Sequence, residues 1–78
     1  MTVLYGYSVV WERPGDCFGA YVPDLPGCIT VGDSQLEIEG SIREAVLSHL
    51  AAMRKHGETI PKPRTATGFV EVPGEFWV

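Results

Sequence analysis

A chain of 78 residues holds one domain, and its formal charge of −4 argues against a surface built for non-specific nucleic-acid binding. No apolar run is long enough to span a bilayer and the first residues lack a signal-peptide pattern, which predicts a cytoplasmic protein. A domain this short buries only about 60–65% of the surface its unfolded chain exposes, so an additional source of core is expected, and oligomerisation is the one left open.

The first strand is read from alternation. Val3, Tyr5, Tyr7, Val9 and Trp11 alternate with Leu4, Gly6, Ser8, Val10 and Glu12. Arg13-Pro14-Gly15-Asp16 is a turn. Residues 17–22 and 28–31 form a second and a third strand, and the short connections suit an antiparallel meander. Between them stands the most informative stretch, residues 21–33. Pro23 and Pro26 each fix one φ angle and lack a backbone donor, and Gly27 supplies the positive φ that the turn needs. A stiff, exposed corner is expected, and its residues Pro23, Asp24, Leu25, Pro26 and Gly27 are the candidate recognition element. The alternative is a rigid hairpin connection with no ligand. With the corner centred near Asp24 and Leu25, Cys28 falls opposite Tyr21 or Val22 and Cys17 opposite Gly32 or Asp33. That is too far apart for a disulfide, so both cysteines are expected as small packed side chains in a reducing compartment.

The period then changes. Asp33 or Ser34 can cap a helix, and Ser34 with Glu37 has the spacing of a capping box. From Gln35 to Lys55 the residues Ile38, Ile42, Ala45, Val46, His49, Leu50 and Met53 recur at helical spacing. Arg54 and Lys55 suit the negative end of the helix dipole, and Gly57 follows as the C-terminal cap. Gly40 is the misfit, explained either by close packing on the sheet or as a cost without a role. Ile60-Pro61-Lys62-Pro63 is a stiff connector. Residues 67–72 are β-prone and are expected to return to the sheet as a fourth strand, which Pro73-Gly74 ends. Phe76, Trp77 and Val78 make an apolar tail, expected to contact a second subunit or the uncovered sheet face, with a disordered end as the alternative.

The fold class is therefore α+β with the order β-β-β-α-β, an antiparallel meander sheet with one helix packed on it, in a single domain over 1–78. One helix covers one face. The other keeps apolar residues such as Leu4 and Val10 if the tyrosines face the helix, which predicts a homo-oligomer, dimer or tetramer, or another partner. Acidic Asp33, Glu37, Glu39 and Glu44 precede basic Arg54, Lys55, Lys62 and Arg64, so an acidic patch is available to a basic partner.

Catalytic chemistry is not expected. His49 lies in the apolar stripe, His56 suits the helix C-terminus, and Ser34 is a cap rather than a nucleophile. Asp24, Asp33 and Glu44 are scattered, and no glycine-rich phosphate loop precedes the helix. Tyr21, Phe69 and Trp77 lack the basic groove that accompanies base stacking. No metal site, cofactor or catalytic residue is assigned.

Several of these segments, in this order, resemble the HicB-like antitoxins. They are Tyr7-Ser-Val-Val, Val22-Pro-Asp-Leu-Pro-Gly-Cys28 and Thr30, then Gly32-Asp33-Ser34, Arg43-Glu-Ala45 and Gly57-x-x-Ile-Pro-x-Pro63. They cover roughly residues 5 to 64. The resemblance implies a partial RNase H-like fold without its active site, and a role in binding and masking HicA, a small basic mRNA-cleaving toxin. The corner residues 23–27 are the family signature. Many members carry a C-terminal DNA-binding domain. This chain stops at Val78, so no such domain and no direct DNA binding are expected. The helix start, Leu36-Glu-Ile-Glu-Gly40, also departs from the usual alanine-rich one. Two other readings stay open: a stand-alone oligomeric regulatory domain without a cognate toxin, and a residual RNA-acting enzyme.

Overall fold

The computed structural model of the chain describes residues 4–13 and 15–77. Val3, Pro14 and Val78, which belong to the expected first strand, first turn and tail, lie outside the described residues. Among the described residues there are three strands: β1 (Val10–Glu12), β2 (Phe18–Tyr21) and β3 (Ile29–Gly32). They form an antiparallel sheet in the order β1-β2-β3. One long helix, α1 (Gln35–Lys55), follows, and a single 3₁₀ turn spans Gly74–Trp77. The fold is α+β in the order β-β-β-α.

The register assigns every strand residue to a face. Trp11 pairs with Ala20, Ala20 with Thr30, and Phe18 with Gly32, and these lie on the side that α1 covers. Val10 pairs with Tyr21, Tyr21 with Ile29, and Gly19 with Val31, on the opposite side. Extending this register puts Val22 beside Cys28, and the Val22 N–H donates to the Cys28 carbonyl at 3.1 Å. Cys17 and Cys28 therefore sit at opposite ends of the β2–β3 ladder, as their spacing implies.

The first strand is shorter than its alternation predicts. Residues 4–9 belong to no ladder. The reason lies in the neighbour: β2 ends at Tyr21 and Pro23 turns the chain away, so the residues before Val9 have nothing to pair with on that side. They overhang the sheet instead. Tyr7 and Val9 still pack against the core.

The core is small: Ala20, Val22, Leu25, Cys28, Ile38 and Ile42 are buried. Ala45, Val46, Leu50 and Met53 pack against it part-buried, which completes the helical stripe read from the sequence. His49, in the same stripe, is half-buried. A helix of 21 residues runs about 31 Å, whereas strands of 3 or 4 residues span roughly 10–14 Å. Only the N-terminal half of α1 can rest on the sheet, which is why full burial stops at Ile42.

Both helix ends are capped. The Ser34 hydroxyl accepts from the Glu37 N–H at 3.2 Å, and the Glu37 carboxylate reaches back to the Asp33 N–H at 3.1 Å. At the other end Gly57 has φ +70°, the Gly57 N–H donates to the Arg54 carbonyl and the Glu58 N–H to the Met53 carbonyl. That pair of bonds is a Schellman motif, and glycine fits it because the position is left-handed. Gly40 plays no such part. A side chain built there would meet nothing within 4 Å. Gly40→Ala should therefore stabilise the fold by about 0.5–1 kcal/mol, and a thermal melt should rise by roughly 2–8 °C.

The expected fourth strand is not formed. Residues 67–72 pair with no strand, and Phe69 and Val70 are almost wholly exposed. Propensity makes a segment fit to be a strand, but a strand also needs a neighbour to bond with. The arm from residue 66 onward lies open, Phe76 and Trp77 included. The radius of gyration, 15.4 Å, exceeds the roughly 11.5 Å of a compact chain of this length.

Candidate protein-binding surface

The corner between β2 and β3 is two consecutive β-turns. The Leu25 N–H donates to the Val22 carbonyl at 3.1 Å, and the Cys28 N–H to the Leu25 carbonyl at 3.0 Å. Each turn carries proline at its second position, Pro23 and then Pro26. In the second turn Gly27 stands at the third position with φ +85°, the type II arrangement in which only glycine is unstrained. The spacing Pro-x-x-Pro-Gly is thus dictated by backbone geometry.

This arrangement corrects the expectation that the whole corner is exposed. Leu25 lies at the junction of the two turns and is 0% exposed, buried in the same core as Ile38. Pro23, Pro26 and Gly27 are on the surface. A doubled turn folds its central residue back towards the sheet ends, where an apolar side chain is drawn into the core.

Asp24 is committed elsewhere. Its Oδ2 accepts the Arg64 N–H at 2.9 Å and the Thr65 N–H at 3.0 Å, and its Oδ1 accepts the Thr65 hydroxyl at 2.7 Å. The Ser8 hydroxyl donates to the Thr65 carbonyl at 2.6 Å, and the Tyr7 hydroxyl donates to the Pro61 carbonyl. Corner, overhanging strand and proline-rich connector are therefore tied together across 40 to 57 positions of sequence. Nothing in the sequence signalled this lock, because hydrogen-bonding partners so far apart leave no local pattern.

The backbone bond from Arg64, then those from Thr65, hold the Asp24 carboxyl below its ordinary pKa, with a smaller contribution from the Arg64 charge. A depressed pKa means that the lock contributes stability above the unfolded value, and that this contribution is lost as pH falls through the folded one. Stability lost below about pH 5 should thus be partly abolished in Asp24→Asn. Exchange of the Arg64 and Thr65 amides should quicken in that variant at neutral pH, and unchanged protection there would show that the lock carries no weight.

Besides a groove between residues 5–7 and 60–63, two apolar surfaces lie open among the described residues. The sheet face opposite α1 presents Val10, Tyr21, Ile29 and Val31, with Ile29 64% and Val31 68% exposed. It runs into a shallow depression of about 350 Å³ beside the corner, shared by Tyr21, Ile29, Pro23 and Pro26. The second surface is a groove of about 530 Å³ between the overhanging residues 4–9 and α1, with Leu4, Tyr7, Val9, Ile42 and Val46 on its walls and Glu39 and Arg43 at its rim. Arg13 stacks over Phe18 at 4.9 Å.

The residues considered for catalysis are occupied or scattered. Ser34 caps α1, and burial pushes the Cys28 thiol pKa up, which keeps it neutral. Among the described residues no three histidine, cysteine or acidic side chains group as metal ligands. No described helix is long and apolar enough to cross a membrane.

This small α+β fold leaves apolar surface exposed on both an open sheet face and a groove. The sequence pattern of the HicB-like antitoxins of bacterial toxin–antitoxin systems matches residues 7–76, and the chain belongs to that family. It is 37% identical over 59 residues to the UPF0150 protein Ta0767 of Thermoplasma acidophilum, covering 72% of this chain and 83% of that protein. It is also 30% identical over 67 residues to an uncharacterized 14.9 kDa protein of the rep-hol intergenic region of Haemophilus phage HP1. That match covers 86% of this chain, which spans about half the length of the phage protein.

Proposed function

We propose that this protein neutralises a toxin of the HicA type, a small basic mRNA-cleaving protein, by binding and masking it in the cytoplasm without catalysis. The observation that carries the reading is the open sheet face of Val10, Tyr21, Ile29 and Val31, apolar in a domain too small to spend such residues on solvent. The exposed corner residues Pro23, Pro26 and Gly27 continue that face. Leu25 and Asp24 shape the corner from within, by core packing and by the bonds to residues 64–65. The net charge of −4 favours encounter with a basic partner.

The test is a titration of a purified HicA-type toxin with the protein and with Ile29→Lys/Val31→Lys. Both side chains are exposed, so the double variant should keep the wild-type melt and lose the complex and the inhibition of RNA cleavage. Full inhibition by the double variant would exclude this face. Absence of any complex with the wild-type protein would overturn the toxin reading. The exposed arm at residues 66–77 favours self-association as well, so a homo-oligomer, dimer or tetramer, belongs to the proposal.

A further inference from the structure

We infer that residues 60–65 are a latch, closed on the overhanging residues and the corner by side-chain hydrogen bonds and opening as one unit while the sheet and α1 stay folded. The inference depends neither on a toxin nor on self-association.

The latch takes no part in the core. Among the described residues, the buried side chains and those packed against them lie between Tyr7 and Met53. In the connector Pro61, Pro63 and Thr65 are half-buried, while Ile60, Lys62 and Arg64 are exposed. Moving the connector away therefore leaves the packing of α1 on the sheet in place.

Backbone pairing does not hold it either. Pro61 and Pro63 have no N–H to offer a neighbouring strand. Arg64 and Thr65 both give their N–H to Oδ2 of Asp24, and the Thr65 hydroxyl donates to Oδ1. The Pro61 and Thr65 carbonyls accept from the hydroxyls of Tyr7 and Ser8. Each of these five bonds has a side chain on at least one side, and all are exposed or part-buried, where water competes for the partners. Thr65 is shared between Asp24 and Ser8, so loosening one anchor loosens the other. Two prolines stiffen the backbone between Pro61 and Thr65, so the connector moves as a short rod and does not fray residue by residue. The exposed Glu58 and Thr59, which follow the capped end of α1, supply the hinge.

Opening exchanges one surface chemistry for another. In the closed state Tyr5, Tyr7, Ile60, Pro61 and Pro63 wall an apolar groove of about 460 Å³ whose one charged lining residue is Lys62. The Asp24 carboxylate is then covered by the donors of Arg64 and Thr65. In the open state the groove is dismantled and that carboxylate stands free between Pro23 and Pro26, which are on the surface. A ligand with an apolar body favours the closed form, and a cationic one favours the open form.

Amide hydrogen exchange of the full chain at neutral pH is the test. The Arg64 and Thr65 amides should report one common opening equilibrium, at least about tenfold more favourable than that of the α1 amides around Ile42. Tyr7→Phe and Ser8→Ala each remove one hydroxyl, at opposite ends of the connector. Each should speed exchange at both amides by about two- to tenfold, the worth of one hydrogen bond. Each should also raise carbodiimide labelling of the Asp24 carboxylate, with exchange around Ile42 and helical circular dichroism unchanged. Equal protection of Arg64, Thr65 and Ile42 in the wild-type protein would show that the connector opens only with the whole fold, and would overturn the inference. So would variants that speed one of the two amides alone, speed Ile42 equally, or leave the amides or the Asp24 labelling at wild-type values. None of these results bears on toxin binding, so the two proposals fail separately.

Discussion

Leu25→Ala should lower the stability of this domain by about 2–5 kcal/mol, the cost of emptying a fully buried leucine site. A chain of this length has roughly 4–12 kcal/mol in all, so the variant should be half-unfolded at far lower urea, with an unchanged slope. The cost should lie near the upper end, because Leu25 is held from both sides by turn hydrogen bonds and the backbone cannot collapse into the space. Leu25→Met, which conserves volume, should cost less than about 1.5 kcal/mol. The result separates two roles for the signature corner. A leucine that plugs the core changes stability and leaves the folded fraction able to bind a partner. Unchanged stability with lost partner binding would instead place Leu25 at the interface.

Gly32→Ala should destabilise by about 1–3 kcal/mol, opposite in sign to Gly40→Ala. A Cβ at Gly32 would stand 2.9 Å from Cγ2 of Ile38 and 3.2 Å from Cδ of Glu37. Ile38 is fully buried and has no room to retreat. Glu37 can move only by giving up its bond to the Asp33 N–H, which helps to cap α1. The first turn of the helix must therefore lift from β3. Thermal melts of the two alanine variants on either side of wild type would confirm that the close helix–sheet approach is at Gly32. A melt for Gly32→Ala equal to wild type would show that α1 does not rest so closely on the strand.

Several features were legible in the sequence because their causes are local. The helix from Gln35 to Lys55 was readable from its apolar period, from the Ser34–Glu37 cap and from Gly57, and all three are present. The positive φ of Gly27 followed from the turn chemistry of Pro26-Gly27. The corner's length narrowed the register of β2 on β3 to two neighbouring choices, either of which separates the two cysteines, and the structure takes the one that sets Val22 beside Cys28. The family signature was legible for the same reason, since turns and caps draw on a narrow set of residues.

What the sequence could not settle were questions of which neighbour is present. The alternation over residues 3–12 and the β-propensity of 67–72 are both real, yet one strand is cut to three residues and the other does not form. A strand is completed by hydrogen bonds to another segment, and no local pattern says whether that segment lies alongside. Gly40 and Gly32 look alike in sequence, and only the packing of α1 tells the open position from the crowded one. The fate of the corner was of the same kind. Composition marked residues 23–27 as a turn, but only the folded chain places Leu25 in the core and bonds Asp24 to residues 64–65, because those partners arrive from distant sequence. Local rules of backbone and capping determined the elements, and long-range burial and hydrogen bonding decided which of their residues remain on the surface.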